Sequence, residues 1–374
     1  MRLPYTIAAP TYGFAILSVI ISVLYEVVCM TDYSNTQFPP AYPAPLRAQF
    51  RTLPEDFIVD EQMDIALSGN GEHLWLQVRK TGANTDWVAS QLARCAGIPA
   101  GEVGYAGLKD RHAVTTQWFS LQLPGKSDPD FASLPPEIEI LQQQRHDKKL
   151  RRGALSSNRF ILTLRNCTGD FAAAHAICQQ ITQYGIPNYY GEQRFGHNFG
   201  NLKKAASWFK GESKPKQRNQ RSLYLSAARS WIFNHILAER VRQGTWNQRL
   251  PGDVFTFADG NSWFVDDASA ELPQRLAAQT IHPTGALWGR GELPTQAQAA
   301  EVEVAQAALF PVFCAGLEKQ GLKQERRALR IKVDEIHVEN LYDDTLKLTF
   351  ALPPGAYATV LLAQLAQTVL KEPA

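Results

Sequence analysis

Apolar and polar positions follow clear periods from about Phe50 onward. Residues 55–61 read as a short strand. Residues 73–80 alternate, with Leu74, Leu76 and Val78 on one face, as a strand requires. Asn84-Thr85-Asp86 offers caps for a helix carrying Trp87, Val88, Leu92 and Ala93 at helical spacing, and Gly97 ends it. Strands are expected at 103–106 and 115–123, with the run from Gly107 to His112 between them. Asn158 opens another at 160–164, and a helix follows over 171–184. From about 200 to 335 the pattern is mostly helical, clearest at 201–210 and 226–242, with a small β-like patch at 254–265. Strand character returns at 336–338 and 347–350. After Pro353-Pro354-Gly355, residues 357–370 predict a closing helix with Val360, Leu361, Leu365 and Val369 on its apolar face. This order predicts an α+β fold, a sheet domain interrupted by a largely helical insertion and completed by the C-terminus.

The beginning of the chain departs from this pattern. Residues 13–25 are uncharged and mostly apolar, and Glu26 ends the run. That is shorter than the ~18 residues of a membrane span and close to the core of a signal peptide. Only Arg2 precedes it as a cation, and Glu26-Val27-Val28 lacks the small residues of a cleavage site. The favoured expectation is translation from Met30; export, anchoring or an appended helix are the alternatives. No stable membrane association is expected. The Pro-rich stretch 38–45 reads as an extended lead-in without packing of its own.

Length and composition narrow the class. With 374 residues the chain has room for two or three domains, and 45% hydrophobic content supplies their cores. The net charge of +2 announces no polyanion partner, so any such surface must come from local clustering. Cys29, Cys95, Cys167, Cys178 and Cys314 are odd in number and form no C-x-x-C pair. They argue against a disulfide framework or zinc knuckle and for a reducing, cytoplasmic location.

Candidate chemistry centres on Asp110. Lys109, Arg111 and His112 surround it, and neighbouring cations favour an ionised carboxylate, able to attack an electrophilic carbon or take a proton. A Lys-Asp-Arg triplet is by itself more often a surface loop. Gly104 and Gly107 add a tight backbone path, and Tyr105, Trp118 and Phe119 flank it. Arg145, Lys148, Lys149, Arg151 and Arg152 form a basic run suited to phosphates, or simply a solvated face. A second tract runs through Lys203, Lys204, Lys210, Lys214, Lys216, Arg218 and Arg221, and the two together favour an extended polyanion. Phe57, Phe160, Tyr189, Tyr190, Phe195 and Tyr357 are core aromatics or stacking faces for a base. Phosphate-binding glycine loops, H-E-x-x-H and Gly-x-Ser-x-Gly are all missing, so no metal or cofactor is expected.

The run Gly104-Tyr-Ala-Gly-Leu-Lys-Asp-Arg-His-Ala-Val-Thr-Thr-Gln-Trp118 resembles the signature of the TruD family of tRNA pseudouridine synthases. Pro54-Glu-Asp-Phe57, Pro187 to Gly196, Leu225 to Ser230, Gly153-Ala-Leu155 with Asn158-Arg-Phe160, and Leu352 to Thr359 fit the same family in order. The resemblance spans roughly 46–370. It implies a pseudouridine-synthase sheet domain (46–184 plus 336–374), a TruD-specific insertion (185–335) and an RNA cleft between them, with 1–45 outside the core. It further implies isomerisation of uridine 13 of a tRNA without cofactor; separately, a monomer is expected. Asp110 matches the family's catalytic aspartate, and Phe57, Asn158 and Tyr357 match positions lining the uridine pocket. Lys109, Arg111, His112, Lys148, Lys149, Arg151, Arg152 and Arg194 are the expected RNA contacts. The hydroxyl of Tyr357, where relatives also carry phenylalanine, needs a partner when buried. The alternative is an inactive RNA-binding protein on the same fold.

Overall fold

The computed structural model describes residues 33–370 apart from 259 and 261, so the apolar run 13–25 and the Met30 start lie outside the described residues. The first half of the chain is rich in strands: β1 Leu46–Phe50, β2 Phe57–Gln62, β3 His73–Thr81, β4 Val103–Tyr105, β5 Val114–Gln122, β6 Ile138–His146 and β7 Ser157–Gly169. The short β8 Ile186–Pro187 precedes β9 Val254–Phe257, β10 Trp263–Val265, β11 Ile281–Leu287, β12 Glu325–Ala328 and β13 Arg330–Ile331. β14 Ile336–Tyr342, β15 Thr345–Leu352 and β16 Ala366–Leu370 close the chain.

Ten of these strands form one sheet in the order β14-β15-β7-β2-β5-β3-β6, with β1 on β7 and β16, and β4 on β5. β2 runs parallel to β5 and β1 parallel to β16, while the spine around β7 and β3 is antiparallel, which makes the sheet mixed. The alternation in β3 works as expected: Leu74, Leu76 and Val78 are fully buried and pack with Phe119 and Leu121 of β5 and with Leu92 of the helix Thr85–Ala96. Gly97 ends that helix in the left-handed region at φ 59, where a Cβ is unfavourable. The class is α+β, as the order of elements indicated.

The segment after β7 begins with the helix Phe171–Tyr184 and carries the helices Gly200–Lys210 and Arg218–Arg242. It is less helical than its pattern suggests, because β10-β9-β11-β12 form a second sheet and β13 pairs with β8. The apolar core does not stop at this segment. Ile186, Phe233, Leu237 and Leu329 share one cluster with Phe57, Leu162 and Leu348 of the large sheet.

Two expectations need correction. The closing helix is only Ala358–Leu362; the chain then extends as β16 and pairs with β1, Leu46 against Ala366. The backbone of β1 needs a ladder partner on that side, and this requirement outweighs helical spacing. Val369, expected on the apolar face, is 68% exposed. The Pro-rich lead-in is also packed. Tyr42 is buried and donates its hydroxyl to Gly185 O at 3.0 Å, and Phe38 stacks on Tyr189. Prolines removed the periodic signal there without removing the large aromatics that drive burial. Strand β6 went unforeseen, since Gln142-Gln143-Gln144 carries no alternation.

Candidate active site

Asp110 sits in the connection between β4 and β5, and three bonds to side chains of Thr85, Gln117 and Lys80 hold the backbone there. Gln117 Nε2 donates to Gly107 O at 3.2 Å, and Lys109 N donates to Thr85 Oγ1 at 3.0 Å. Thr85 Oγ1 in turn donates to Gln117 Oε1 at 3.0 Å, so a buried residue of each neighbouring element grips the loop. Thr85 thus serves the loop, while Asn84, at the N-cap, makes no side-chain capping bond. Beneath them, Lys80 Nζ donates to Asp110 O at 2.9 Å and to Ala83 O at 2.7 Å. Gly104 is needed for a close approach, since a Cβ would lie 2.6 Å from Leu150 O, whereas Gly107 faces open space.

The carboxylate of Asp110 is 37% exposed and lies 3.5 Å from Arg51 Nη2. Arg51 is a left-handed non-glycine residue with φ 58, the sort of strained backbone that persists where surrounding contacts over-determine it. Its guanidinium lies 4.0 Å from the Phe57 ring centroid, so one cation bridges the aromatic floor and the carboxylate. Burial pulls this guanidinium below its usual range and Asp110 opposes the shift. Phe57 follows a short turn anchored by Asp56, which accepts from Leu53 N at 2.9 Å and pairs with Arg165 at 2.7 Å.

Phe57, Asn158 and Tyr357 come together with Asp110 around one cavity of about 510 Å³. Parts of the chain 300 residues apart therefore supply one site. Asn158 Oδ1 is buried without a hydrogen-bond partner, which leaves an acceptor for a ligand. Tyr357 follows the Pro353–Gly355 turn, and its hydroxyl accepts from Arg194 Nε at 3.0 Å. Gly191 makes room for its ring, because a Cβ there would come within 2.8 Å of it. Phe160 lines the same cavity, while Tyr189 and Phe195 are core residues at 4% and 1% exposure.

The cations divide. Lys109, expected on RNA, turns inward instead: its ammonium is 2.7 Å from Glu61 Oε2, with side chains 7% and 0% exposed. The ammonium compensates the Glu61 carboxylate inside the sheet, which also accepts from Trp118 N at 3.3 Å. Arg111, His112, Lys148, Arg151 and Arg152 are exposed. Arg152 donates to Tyr105 Oη at 2.9 Å, and Gly153 N bonds Ala106 O at 2.8 Å, so the basic loop leans on the Asp110 loop. Lys149 is 3.4 Å from Glu102. Arg194 is committed to Tyr357 and to Ser226 Oγ at 3.1 Å. The second basic tract lies on Gly200–Lys210 and around the start of Arg218–Arg242, and contributes nothing to the cavity. Among the described residues no group of three or more His, Cys, Asp or Glu is placed to hold a metal ion.

Sequence reasoning missed Arg51, Glu61 and Lys80. Arg51 could have been noticed as the cation just before Pro54-Glu-Asp-Phe57. Lys80 falls in phase with Leu74, Leu76 and Val78 on the buried face of its strand, but no sequence signal names the carbonyls it bonds.

Known proteins match along this whole framework. The family model described as tRNA pseudouridine synthase D (TruD) matches residues 43–208 and 200–365. The tRNA pseudouridine synthase D of Hydrogenovibrio crunogenus is 51% identical over 341 residues, 91% of this chain and 99% of that protein. That of Methylococcus capsulatus is 48% identical over 86% of this chain and 91% of its own length. A crystal structure from Methanosarcina mazei carrying the TruD name shares the fold at TM-score 0.67, with 21% identity over 87% of this chain and 95% of that one. With a family model covering most of the chain and relatives near half identity, this chain belongs to the tRNA pseudouridine synthase D family.

Proposed function

We propose that this chain isomerises uridine to pseudouridine in tRNA, at uridine 13, with Asp110 as the catalytic carboxylate. The observation that carries the reading is the placement of an accessible Asp110 carboxylate on a cavity walled by Phe57, Asn158 and Tyr357. A uridine removed from its stack, at a cost of a few kcal/mol, meets an aromatic face at Phe57 or Tyr357. Its N3–H matches the unpartnered Asn158 Oδ1. Arg51, 3.5 Å from the carboxylate, helps to orient it. Asp110 then either attacks the sugar or abstracts a proton; the C1′–N1 bond breaks, the base rotates, C5 bonds to C1′, and the C5 proton is lost while N1 takes one up. The names of the relatives support tRNA as substrate. The position 13 rests on the family resemblance of the Asp110 motif.

The test is pseudouridine mapping of unmodified tRNA incubated with the protein and with Asp110→Asn. Conversion at position 13 is expected with the first and none with the second, while tRNA binding persists in both. Normal conversion by Asp110→Asn removes Asp110 from the reaction.

A further inference from the structure

The apolar lining of the Asp110 cavity is uneven. Phe57, Val59 and Phe160 line it from within the protein, none more than 8% exposed. Leu108 lines the same cavity and is 64% exposed, the most exposed leucine among the described residues. Its neighbour Lys109 is turned inward to Glu61, with its side chain only 7% exposed. The connection therefore buries its lysine and offers its leucine to solvent, the reverse of the usual sorting. A lone exposed leucine is ordinary on a protein surface. A leucine fixed at the rim of a cavity that holds a reactive carboxylate is not.

Leu108 is held on both sides. The carbonyl of Gly107 accepts from Gln117 Nε2 at 3.2 Å, and Lys109 N donates to Thr85 Oγ1 at 3.0 Å. Gln117 of β5 and Thr85 of the following helix are both buried, so the backbone at Leu108 is anchored to two regular elements. Turning the leucine inward would break those bonds, and Lys109 already occupies the inner side. Gly107 leaves open space beside it, with nothing within 4 Å of where a Cβ would stand. Leu108 and Asp110 are two residues apart in the chain, so their Cα atoms are at most about 7 Å apart. A nucleotide that delivers its ribose to Asp110 vacates a place in the RNA stack within reach of Leu108. The gap left by an extruded base has apolar faces, and an apolar side chain that fills it lowers the cost of extrusion. A rigid leucine suits that gap, because entering it removes the exposed apolar surface from water.

We propose that Leu108 is a wedge that enters the stack vacated by the target uridine and so holds the uridine in the cavity. The inference rests on the tRNA reading above and gives the extrusion step a positioning residue that does not touch the reacting atoms. It is tested with Leu108→Ala and Leu108→Met, each checked by thermal melting against the unsubstituted protein. Steady-state conversion is compared on two unmodified tRNA transcripts. One is complete; in the other the nucleotide following the target uridine is abasic, which removes the stack on that side. On the complete transcript Leu108→Ala is expected to lower kcat about tenfold or more, through loss of the leucine's apolar contact, with KM within about threefold. Leu108→Met keeps the bulk and restores kcat to within about twofold. On the abasic transcript the Leu108→Ala deficit shrinks to about twofold or less, because less stacking opposes extrusion. An unchanged kcat in Leu108→Ala overturns the inference, and so does an equal deficit on both transcripts. A Leu108→Met variant as slow as Leu108→Ala overturns it too. If the unsubstituted protein converts no uridine, the functional reading fails instead, and fluorescence decides the wedge separately. 2-Aminopurine placed after the target uridine brightens when its neighbour leaves the stack. A rise on binding the unsubstituted protein that is lost with Leu108→Ala supports the wedge; equal signals from the two proteins overturn it.

Discussion

Lys80 Nζ donates to the carbonyl oxygen of Asp110 at 2.9 Å from a side chain with no exposed surface. Its other bond goes to Ala83 O at 2.7 Å, and no carboxylate pairs with it among the described residues. Burial brings its ammonium down to about 8, against the pull of Asp110. An ammonium held inside a sheet at this cost fixes the backbone that carries the carboxylate. Lys80→Met keeps the bulk and removes both bonds. We expect kcat to fall about tenfold to a hundredfold with KM little changed, since small misplacements of a reacting group carry penalties of that order. Steady-state conversion measures both, and a change in KM alone contradicts this role.

Lys109 and Glu61 make the clearest stability experiment. Among the described residues, Lys109→Met leaves the fully buried Glu61 carboxylate with only Trp118 N, at 3.3 Å. Stranding one partner of a buried pair costs about 3–5 kcal/mol. Urea unfolding should show that loss, and adding Glu61→Gln should recover part of it. A loss below about 1 kcal/mol means that water reaches the carboxylate.

The Tyr357 ring and hydroxyl separate cleanly. Tyr357→Phe removes the bond from Arg194 and should cost about 1 kcal/mol of stability, with conversion close to normal. Tyr357→Ala removes the cavity wall and should reduce conversion far more. Gly191→Ala pushes on the ring from 2.8 Å and should raise KM without touching Asp110. Equal activity of the Phe and Ala variants excludes the ring from substrate binding.

Acid stability should depend on two histidines. His235 lies among Phe38, Trp231 and Phe310, and burial lowers it to about 4. His282 accepts from Arg330 Nε at 3.0 Å, and burial followed by that cation lowers it to about 3. Both are neutral when folded and titrate near 6.5 when unfolded. Their contribution is therefore complete above about pH 6.5 and is lost as pH falls toward 4 and below. We expect a decline on the order of 1–3 kcal/mol per residue over that window, and a flatter profile for His235→Phe, measured by urea unfolding at pH 7, 5.5 and 4.5.

How much of this was legible in the chain differs by element. Local chemistry was readable wherever a period or a cap acts over a few residues. β3 follows from Leu74, Leu76 and Val78, the helix Phe171–Tyr184 from its spacing, and the Asp110 loop from the strands on either side. The family motifs likewise named Asp110, Phe57, Asn158 and Tyr357, because each sits in a long local signature. Tertiary structure decided whatever depends on a partner distant in the chain. β16 is a strand because β1 needs its ladder, and Lys109 turns inward because Glu61 is buried beside it. Arg51 and Lys80 reach Asp110 from strands and turns that sequence does not place beside it. Periodicity records which face of an element is apolar; only packing determines what that face, and each charge near it, will meet.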